Sequence, residues 1–438
     1  MNNTELVHMT QAEKKALMVA LAEEVTGLKV EDKMNPPGSD VDTWDTLKKT
    51  KKKGTEVLIP MNCRYNTATI LRDDPEYATL AYNEHSDQVL LNGEMVSDVT
   101  IEQIALDMET RYNYRITERA LRSSIIMVAQ ENKVEPIKDW LESLPQWSPE
   151  THETKLLWFF QDILKAKIPE GCEALIQEMS VKWFVSCVAR IMNPGCKMDT
   201  CLVLVGGKGL RKSTALKVLC GEEWFSDSNI NISHKDAYEL LHQSGVWIWE
   251  LAEMHALQGK TADNAKQFLT SASDRYRPSY GKMPVQRNRR TVFTASTNNY
   301  QFLSDGPERR FWCVEVMEKI DTEYIQQHRN ELWAEALYWY NQDLEWWLSE
   351  ESDVLNAQYQ QSFIIDDPWT VKVLECLASQ GGKATTKEIM DFLDLGARDQ
   401  HTGNSRRIGQ ILRDCGYEQY FDSTIKGRKW KKKGGSNG

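Results

Sequence analysis

The sequence predicts an α/β fold built around a parallel β-sheet, on the strength of two observations. Four short apolar runs, beginning near residues 201, 246, 292 and 311, are separated by stretches of helical periodicity. Short strands that are apolar on both faces and alternate with helices are typical of a parallel sheet covered by helices. The first run leads directly into a glycine-rich loop and a helical pattern, and polar residues follow the second and third. Since ligands of such sheets bind beyond the carboxyl ends of the strands, these polar residues are the candidate site.

The composition is that of a globular protein and excludes several other classes. Of the 438 residues, 41% are hydrophobic and 27% are charged. The most apolar stretch, residues 179–192, is shorter than the roughly 18 residues of a membrane span and contains two charged side chains, so we expect no membrane partner. The first residues lack the pattern of a secretory signal. Nine scattered cysteines without a C-x-x-C pair argue against a zinc site and indicate a reducing cytoplasm.

Changes of pattern predict five segments. Residues 1–65 hold an N-terminal helix near residues 11–26, a Pro/Gly breaker cluster and a lysine-rich linker. The remaining segments are a helical domain at 66–174 with an extended stretch near 82–96, a core at 175–335, a helical connector at 336–365 and a C-terminal domain at 366–438.

The glycine-rich loop has the composition of a phosphate-binding loop. It comprises Gly206, Gly207, Lys208, Gly209, Leu210, Arg211, Lys212, Ser213 and Thr214. Glycines allow backbone amides to point at a phosphate, and the helix N-terminus that follows adds partial positive charge. Lys212 would reach the outer phosphates of ATP, and Ser213 would ligate Mg²⁺. The alternatives are a plain glycine-rich turn and a loop that binds nucleotide but hydrolyses it slowly.

Arg211 departs from the usual pattern, in which the residue before the lysine is glycine. A residue with a Cβ atom fits poorly if that position requires a positive φ angle. Arg211 is therefore the main sequence argument against efficient hydrolysis.

Polar residues after the second and third runs complete a candidate catalytic site. The second run ends at Glu250, and Glu253 follows three residues later. A magnesium-dependent ATPase needs one acid to hold the metal and one to activate water. The sequence leaves open which does which; Glu250, at the strand end, is with Ser213 the candidate metal ligand. Asn298 would sense the γ-phosphate. The alternatives are favourable acids at a helix N-terminus and an ordinary Thr-Asn turn.

Arg309 and Arg310 precede the fourth run. Paired arginines at this place suit an arginine finger, which stabilises the phosphoryl group bound by a neighbouring subunit. The alternative is a pair of surface arginines.

Two basic segments are candidate DNA-binding surfaces, although the net charge of the chain is −11. The first lies between the second and third runs and predicts a hairpin that grips single-stranded DNA through Lys282, Arg287 and Arg289. Alternatively, Arg275 or Arg277 in this segment contacts nucleotide or another subunit.

The second segment, residues 404–433, contains nine basic and three acidic residues and carries a charge of +6. Two helical patterns followed by a basic, glycine-containing stretch predict a winged helix-turn-helix. Its candidate DNA contacts are Arg406, Arg407, Arg413, Lys426, Arg428 and Lys429. The alternative is a small helical domain with a basic tail.

Together these motifs resemble the virulence-associated protein E family of phages and phage-like genomic islands, over about residues 70–320. The resemblance is carried by Lys133–Pro145, Cys187–Lys197, the glycine-rich loop, Glu250–Glu253, Arg275–Lys282 and Glu308–Trp312. It implies a helicase related to superfamily 3, with a P-loop AAA+-type core that unwinds DNA at replication initiation. By analogy, Arg309 or Arg310 is the finger and Lys282 lies on a hairpin that contacts DNA.

We therefore expect an ATP-dependent replicative DNA helicase or replication initiator of a phage or mobile element, acting in the cytoplasm of a bacterial host cell. ATP and Mg²⁺ would bind between subunits of a ring, which we expect to be a hexamer. Single-stranded DNA would occupy the channel, and duplex or origin DNA would bind the C-terminal domain. An alternative, favoured by Arg211, is a DNA-binding initiator or regulator that uses ATP only as an assembly switch. A small-molecule kinase would leave both basic segments without a role.

Overall fold

The computed structural model describes residues 47–52, 55–112, 114–230, 236–252, 267–278, 283–303, 306–365 and 367–433, with the backbone alone at 47–60 and 252. Contacts divide the chain into two compact units: residues 1–298 with 309–356, and residues 299–308 with 357–438. The N-terminal helix predicted near residues 11–26 lies outside the described residues.

The N-terminal part of the first unit is a small α/β region rather than a purely helical one. Its elements are β1 (Leu47–Lys52), β2 (Thr55–Pro60), α1 (Arg64–Asp73), β3 (Ala81–Asn83), β4 (Gln88–Leu91), β5 (Glu94–Met95), α2 (Asp98–Tyr112), α3 (Glu118–Ala129), β6 (Lys133–Val134), α4 (Pro136–Glu142) and α5 (Leu156–Trp158). Part of the predicted linker forms the antiparallel hairpin β1–β2. The extended stretch predicted near 82–96 corresponds to β3, β4 and β5, which join β6 in a four-stranded sheet of order β5-β4-β3-β6.

A five-stranded parallel sheet forms the centre of the first unit and confirms the predicted α/β class. The elements that follow α5 are α6 (Glu173–Met192), β7 (Cys201–Val205), α7 (Lys212–Cys220), β8 (Phe225–Ser226), α8 (Asp236–Gln243), β9 (Ile248–Ala252), β10 (Ser273–Tyr276), β11 (Val285–Asn288), β12 (Val292–Thr297), β13 (Phe311–Glu315), α9 (Thr322–Asn341) and α10 (Glu350–Tyr359). The strand order is β13-β7-β12-β9-β8, and the paired strands are parallel. Every residue of β7 and β12 is buried, which explains the unbroken apolar sequence of β7 and the burial of Thr294, Ser296 and Thr297 in β12.

A glycine turn before β7 holds the base of the hairpin β10–β11, which lies between β9 and β12 in the chain. Gly195 has φ +86°, and a Cβ atom there would lie 3.0 Å from the Asn288 side chain. The close approach lets Gly195 N donate to Arg289 O at 2.9 Å, while Asn288 Nδ2 donates to Pro194 O at 3.1 Å. The turn therefore fixes the point at which the hairpin returns to the sheet.

The described part of the second unit includes, after residue 366, the helices α11 (Thr370–Ser379), α12 (Thr386–Phe392) and α13 (Thr402–Asp414) and a hairpin of β14 (Tyr417–Asp422) and β15 (Gly427–Lys432). Helix α12 begins at a capping box in which Thr385 and Glu388 satisfy each other's backbone amides. Trp430 of β15 is buried against the apolar faces of the helices. Residues 299–308 also join this unit, because Phe302 N and Leu303 N donate to Phe363 O.

Candidate functional site

Three neighbouring strands of the parallel sheet bring the predicted site residues together. β7 leads into the loop before α7, β9 carries Glu250, and β12 ends one residue before Asn298. Since β12 pairs with both β7 and β9, their carboxyl ends share one edge. A cleft of about 360 Å³ opens there, lined by residues 208–214 and 296–298.

The course of the loop depends on two of its glycines. A Cβ atom on Gly206 would lie 2.5 Å from Val316 O, so only glycine fits where β7 ends beside β13. Gly206 N donates to Thr297 O at 3.1 Å, which ties the loop to the end of β12. Gly209 has φ +82°, a conformation that glycine adopts without steric cost.

Lys212 is the buried cation of the cleft, with 7% of its surface exposed. Its Nζ donates to Gly206 O at 2.7 Å, to Gly207 O at 2.9 Å and to Asn298 Oδ1 at 3.1 Å. Burial lowers the pKa of the Lys212 ammonium, and the nearby Glu250 carboxylate opposes that shift. The predicted lysine and the predicted sensor are therefore in direct contact.

Glu250 and Ser213, the predicted metal ligands, are also in contact. Ser213 Oγ donates to Glu250 Oε1 at 2.8 Å. Glu250 is 1% exposed, and its Oε2 has no hydrogen-bond partner among the described residues. Burial raises the pKa of this carboxyl because the charged form loses solvation, and the hydroxyl groups of Ser296 and Ser213 oppose that shift. A buried carboxylate oxygen without a partner beside a hydroxyl is the donor set that a hard divalent cation prefers.

Arg211 adopts the left-handed conformation that the sequence pattern implies, with φ +64° and ψ +28°. Its Nη1 donates to Thr322 Oγ1 at 2.9 Å, and Glu323 lies 3.8 Å away. Backbone strain at a non-glycine residue in this region amounts to about 1–2 kcal/mol. The contact with Thr322, at the start of α9, offsets part of that strain.

Arg309 and Arg310 lie at the amino end of β13. Arg309 keeps 62% of its side chain exposed and pairs with Asp199 at 2.9 Å. Arg310 is partly buried, and its carbonyl oxygen accepts a hydrogen bond from Cys201 N at 2.7 Å. Glu253, the second predicted acid, lies outside the described residues.

The basic segment between β9 and β12 forms a hairpin in its described part, since β10 and β11 pair antiparallel. Lys282 lies outside the described residues. Arg287 pairs with Asp87 at 2.5 Å and is 39% exposed. The pair between Arg287 and Asp87 thus connects the base of the hairpin to the N-terminal α/β region.

Arg289 corrects one prediction, because its side chain is fully buried and is not available to DNA. Its Nε and Nη2 donate to the Asp274 carboxylate at 2.6 and 2.8 Å, and the guanidinium lies 4.4 Å from the centre of the Phe268 ring. His242 Nε2 also lies 3.0 Å from Asp274. Burial raises the pKa of Asp274, but the hydrogen bonds from His242 and Arg289 outweigh this effect and lower the pKa. Arg289 is a structural anchor of the hairpin base.

The residues of the C-terminal segment that were predicted to bind DNA differ in their exposure and in their partners. Arg406, Arg413, Lys426 and Arg428 are exposed. Arg407 is bound through both Nε and Nη2 to Asp367 and lies 3.8 Å from the centre of the Trp369 ring, so part of its binding capacity is used within the unit. Lys429 lies 3.6 Å from Asp422 across the β14–β15 hairpin.

Sequence reasoning missed the residues that support the site from other elements. Thr322 accepts from Arg211, Asp274 accepts from Arg289, and His242 in turn contacts Asp274. None belongs to a motif, and pairs separated by 15 to 111 positions leave no spacing signal. Asp321 before Thr322 is readable as a helix N-cap, and it does accept from Tyr324 N, but that pattern does not identify the contact with the loop.

A family model described as the virulence-associated protein E-like domain matches residues 141–364, just over half of the chain. The chain belongs to this family. Within the virulence-associated protein E-like segment lie the whole parallel sheet, the loop with Lys212, and the hairpin β10–β11. The recognised resemblance is thereby confirmed.

Solved structures similar to this family member include two apo structures of the NrS-1 C-terminal region. The first, an A form, has a TM-score of 0.38 and 13% identity, and the alignment covers 80% of this chain and 95% of that one. The second has a TM-score of 0.39 and 14% identity, with coverage of 80% and 94%. No curated protein sequence matches this chain significantly.

Metal-binding side chains and membrane-spanning helices are the remaining features of this virulence-associated protein E-like chain. Within the described ranges, no cluster of three or more His, Cys, Asp or Glu side chains could hold a metal. A cation at the cleft would therefore depend on Glu250, Ser213, phosphate oxygens and water, as Mg²⁺ commonly does. No helix in the described part of the chain has the length and hydropathy needed to cross a membrane.

The strain at Arg211 predicts an order of stability between two variants. Arg211→Ala and Arg211→Gly both lose the hydrogen bond to Thr322, but only glycine adopts φ +64° without strain. We expect Arg211→Gly to be the more stable of the two by about 1 kcal/mol, measured by denaturant unfolding. Equal stabilities, or a more stable alanine variant, would show that the backbone at this position is not strained.

The buried ion pair predicts that Arg289 matters for folding rather than for DNA binding. Arg289→Met leaves the Asp274 charge buried with only His242, which should cost about 3–5 kcal/mol of unfolding free energy. Arg287→Met is the matched control, since its partly exposed pair with Asp87 should contribute at most about 1 kcal/mol. Similar small losses in both variants would contradict the anchoring role of Arg289.

Proposed function

We propose that this chain is an ATP-dependent DNA helicase or replication initiator of a phage or other mobile genetic element, acting in the cytoplasm of a bacterial host. The observation that carries the proposal is the meeting of Lys212, Ser213 and Asn298 in one cleft at the carboxyl edge of a parallel sheet, with the buried Glu250 directly behind Ser213. A P-loop core of the AAA+ type accounts for this combination of a glycine loop, a strand-borne acid and a polar residue on the strand between them.

The residues of the cleft have separate tasks in this mechanism. Lys212 is held by three oxygen atoms and would exchange the two loop carbonyls for phosphate oxygens, while Asn298 keeps its side chain oriented. Ser213 and Glu250 would hold Mg²⁺, whose charge would neutralise phosphate oxygens during transfer. Glu253, three residues beyond Glu250, remains the candidate for activating water. The backbone of residues 206–211 supplies amides to the phosphates.

Assembly into a ring, for which we propose a hexamer, is supported by the position of the paired arginines. Arg309 is mostly exposed and its ion pair with Asp199 is a surface pair, which costs little to break. In the ring that we propose, such a side chain would contact nucleotide held by a neighbouring copy, as an arginine finger in trans does. Arg310 is the second candidate for that role.

Contact with DNA is proposed at two places. The segment between β10 and β11, which contains Lys282 in the sequence, would contact a single strand, together with Arg287 of β11. The second unit would act as a winged helix, in which α13 carries Arg406 and Arg413 and the β14–β15 hairpin carries Lys426 and Arg428. Its helix, helix and hairpin order supports this assignment, together with the +6 charge of residues 404–433.

ATP turnover with and without single-stranded DNA tests the proposed activity. Lys212→Ala should abolish turnover, because it removes the cation that meets the transferred phosphate. Lys217→Ala is the matched control: Lys217 lies on the same helix, has 44% of its side chain exposed and pairs with Glu222, so we expect turnover to be retained. Turnover that survives Lys212→Ala, or is absent from the wild-type protein, would refute the mechanism. Turnover without DNA stimulation or strand separation would favour the ATP-switched initiator.

The salt dependence of duplex binding tests the proposed winged helix. Each phosphate contact contributes about −0.9 to the slope of log affinity against log salt concentration. Replacing Lys426 and Arg428 together by alanine should weaken binding and reduce the magnitude of the slope by about 2. Lys372→Ala with Lys383→Ala removes the same charge elsewhere in the unit and should leave the slope unchanged. If both pairs have the same effect, the hairpin is not a specific contact surface.

A further inference from the structure

Arg329 binds the end of α7 that lies opposite the nucleotide cleft. Its Nε donates to Leu219 O at 3.0 Å and its Nη2 to Cys220 O at 2.6 Å. Trp333, one turn further along α9, also donates from Nε1 to Leu219 O at 2.8 Å. The last carbonyls of a helix have no partner within the helix and carry partial negative charge, so a cation with two donors satisfies both needs.

The guanidinium of Arg329 is itself held in a fixed place. It lies 4.2 Å from the centre of the Trp140 ring and 5.6 Å from that of Trp224. Burial lowers the pKa of Arg329, with the nearby Cys220 and Glu223 opposing the shift, and an arginine stays charged in proteins. Trp140 belongs to α4, within the Lys133–Pro145 block, so this block supplies one wall of the guanidinium site.

The chain leaves α7 through a glycine that makes room for this contact. Gly221 has φ +103°, and a Cβ atom there would lie 2.8 Å from Arg329 Nη2. A side chain at this position would both strain the backbone and displace the guanidinium. The geometry of the helix end is therefore built around Arg329.

Helix α9 holds the other end of α7 as well. Thr322 Oγ1 accepts from Arg211 Nη1, and Ile320 N, just before α9, donates to Leu210 O at 3.1 Å. Thr322 and Arg329 are seven residues apart, or about 10.5 Å along a helix, which is close to the roughly 13.5 Å length of the nine-residue α7. One helix thus spans the other and contacts both of its ends.

We infer that Arg329 is a positioning residue, which from the far end of α7 fixes the direction of that helix and hence the place of Lys212 and Ser213 in the cleft. The inference rests on the proposed function, because it assigns phosphate binding to the near end of α7. The orienting effect on the helix, however, is measurable without nucleotide.

Hydrogen–deuterium exchange tests the orienting effect in the full chain without ligand. Ala215 N donates to Arg211 O at 2.8 Å and begins the hydrogen-bonded part of α7, remote from Arg329. Arg329→Ala should speed exchange of α7 amides about tenfold, including those of Ala215 and Leu216. Gln326→Ala, an exposed change on the same helix, should leave them unchanged. Faster exchange confined to residues 219–221, or none, would overturn the inference.

ATP turnover provides a second test of the inference. Arg329→Ala should reduce kcat/KM for ATP about tenfold, and guanidinium chloride at millimolar concentration should restore part of the loss by occupying the site between the tryptophans. Sodium chloride at the same concentration should not, and Lys212→Ala should not respond to guanidinium. A defect that guanidinium leaves unchanged would reduce Arg329 to a general contributor to stability and overturn the inference.

Arg329→Lys keeps the inference testable if the alanine variant does not fold. Lysine retains the charge but cannot span two carbonyls with a planar fork, so exchange at Ala215 should rise and turnover should fall by an intermediate amount. Wild-type exchange and turnover in this variant would contradict the role of the fork. If the wild-type protein has no ATP turnover at all, the proposed function fails, while the exchange experiment still decides the orienting role.

Discussion

The buried charge of Lys212 is the constraint on which the site depends. A buried ammonium is costly unless oxygen atoms surround it, and here two loop carbonyls and the Asn298 amide do so. These partners come from two different strand ends, so the loop and the end of β12 cannot move apart without leaving the charge unpaired. Glu250 adds a carboxylate from the third strand, on the far side of β12 from β7. The sheet order β7-β12-β9 is thus what makes the cation tolerable.

The base of the hairpin β10–β11 contains a second buried cation whose charge is balanced by nearby oxygen atoms. Arg289 is fully buried, and it is tolerated because Asp274 binds it through two oxygen atoms and His242 completes the pair. Gly195 N holds the Arg289 carbonyl, so backbone and side chain are fixed together. Since β12 begins three residues after Arg289 and ends beside Asn298, the hairpin and the cleft are joined by one short, buried strand.

The sequence predicted the parts of this arrangement that depend on local pattern. The apolar runs identify β7, β9, β12 and β13 because central parallel strands are buried on both faces. The glycine loop and Arg211 were recognisable because positive φ angles restrict residue type. Strands of two to four residues, such as β5 and β6, are too short for a periodic signal. The burial of Arg289 was not predictable either, because a basic segment shows charge but not its partner, and Asp274 reads as one more polar residue of the same hairpin.

Arg211 shows how the glycine-rich loop accommodates a residue that departs from the usual sequence pattern. An arginine at φ +64° carries strain of about 1–2 kcal/mol, and a hydrogen bond such as that to Thr322 contributes about 0.5–1.5 kcal/mol. The two effects are of similar size, so the loop keeps its shape without glycine as long as α9 begins where it does. A glycine at this position would leave the backbone bond from Ile320 N to Leu210 O as a tie between the loop and the residues before α9, whereas the arginine adds a side-chain contact to α9 itself. The departure therefore does not argue against phosphate binding; it makes the conformation of the loop depend on a helix that also holds the far end of α7.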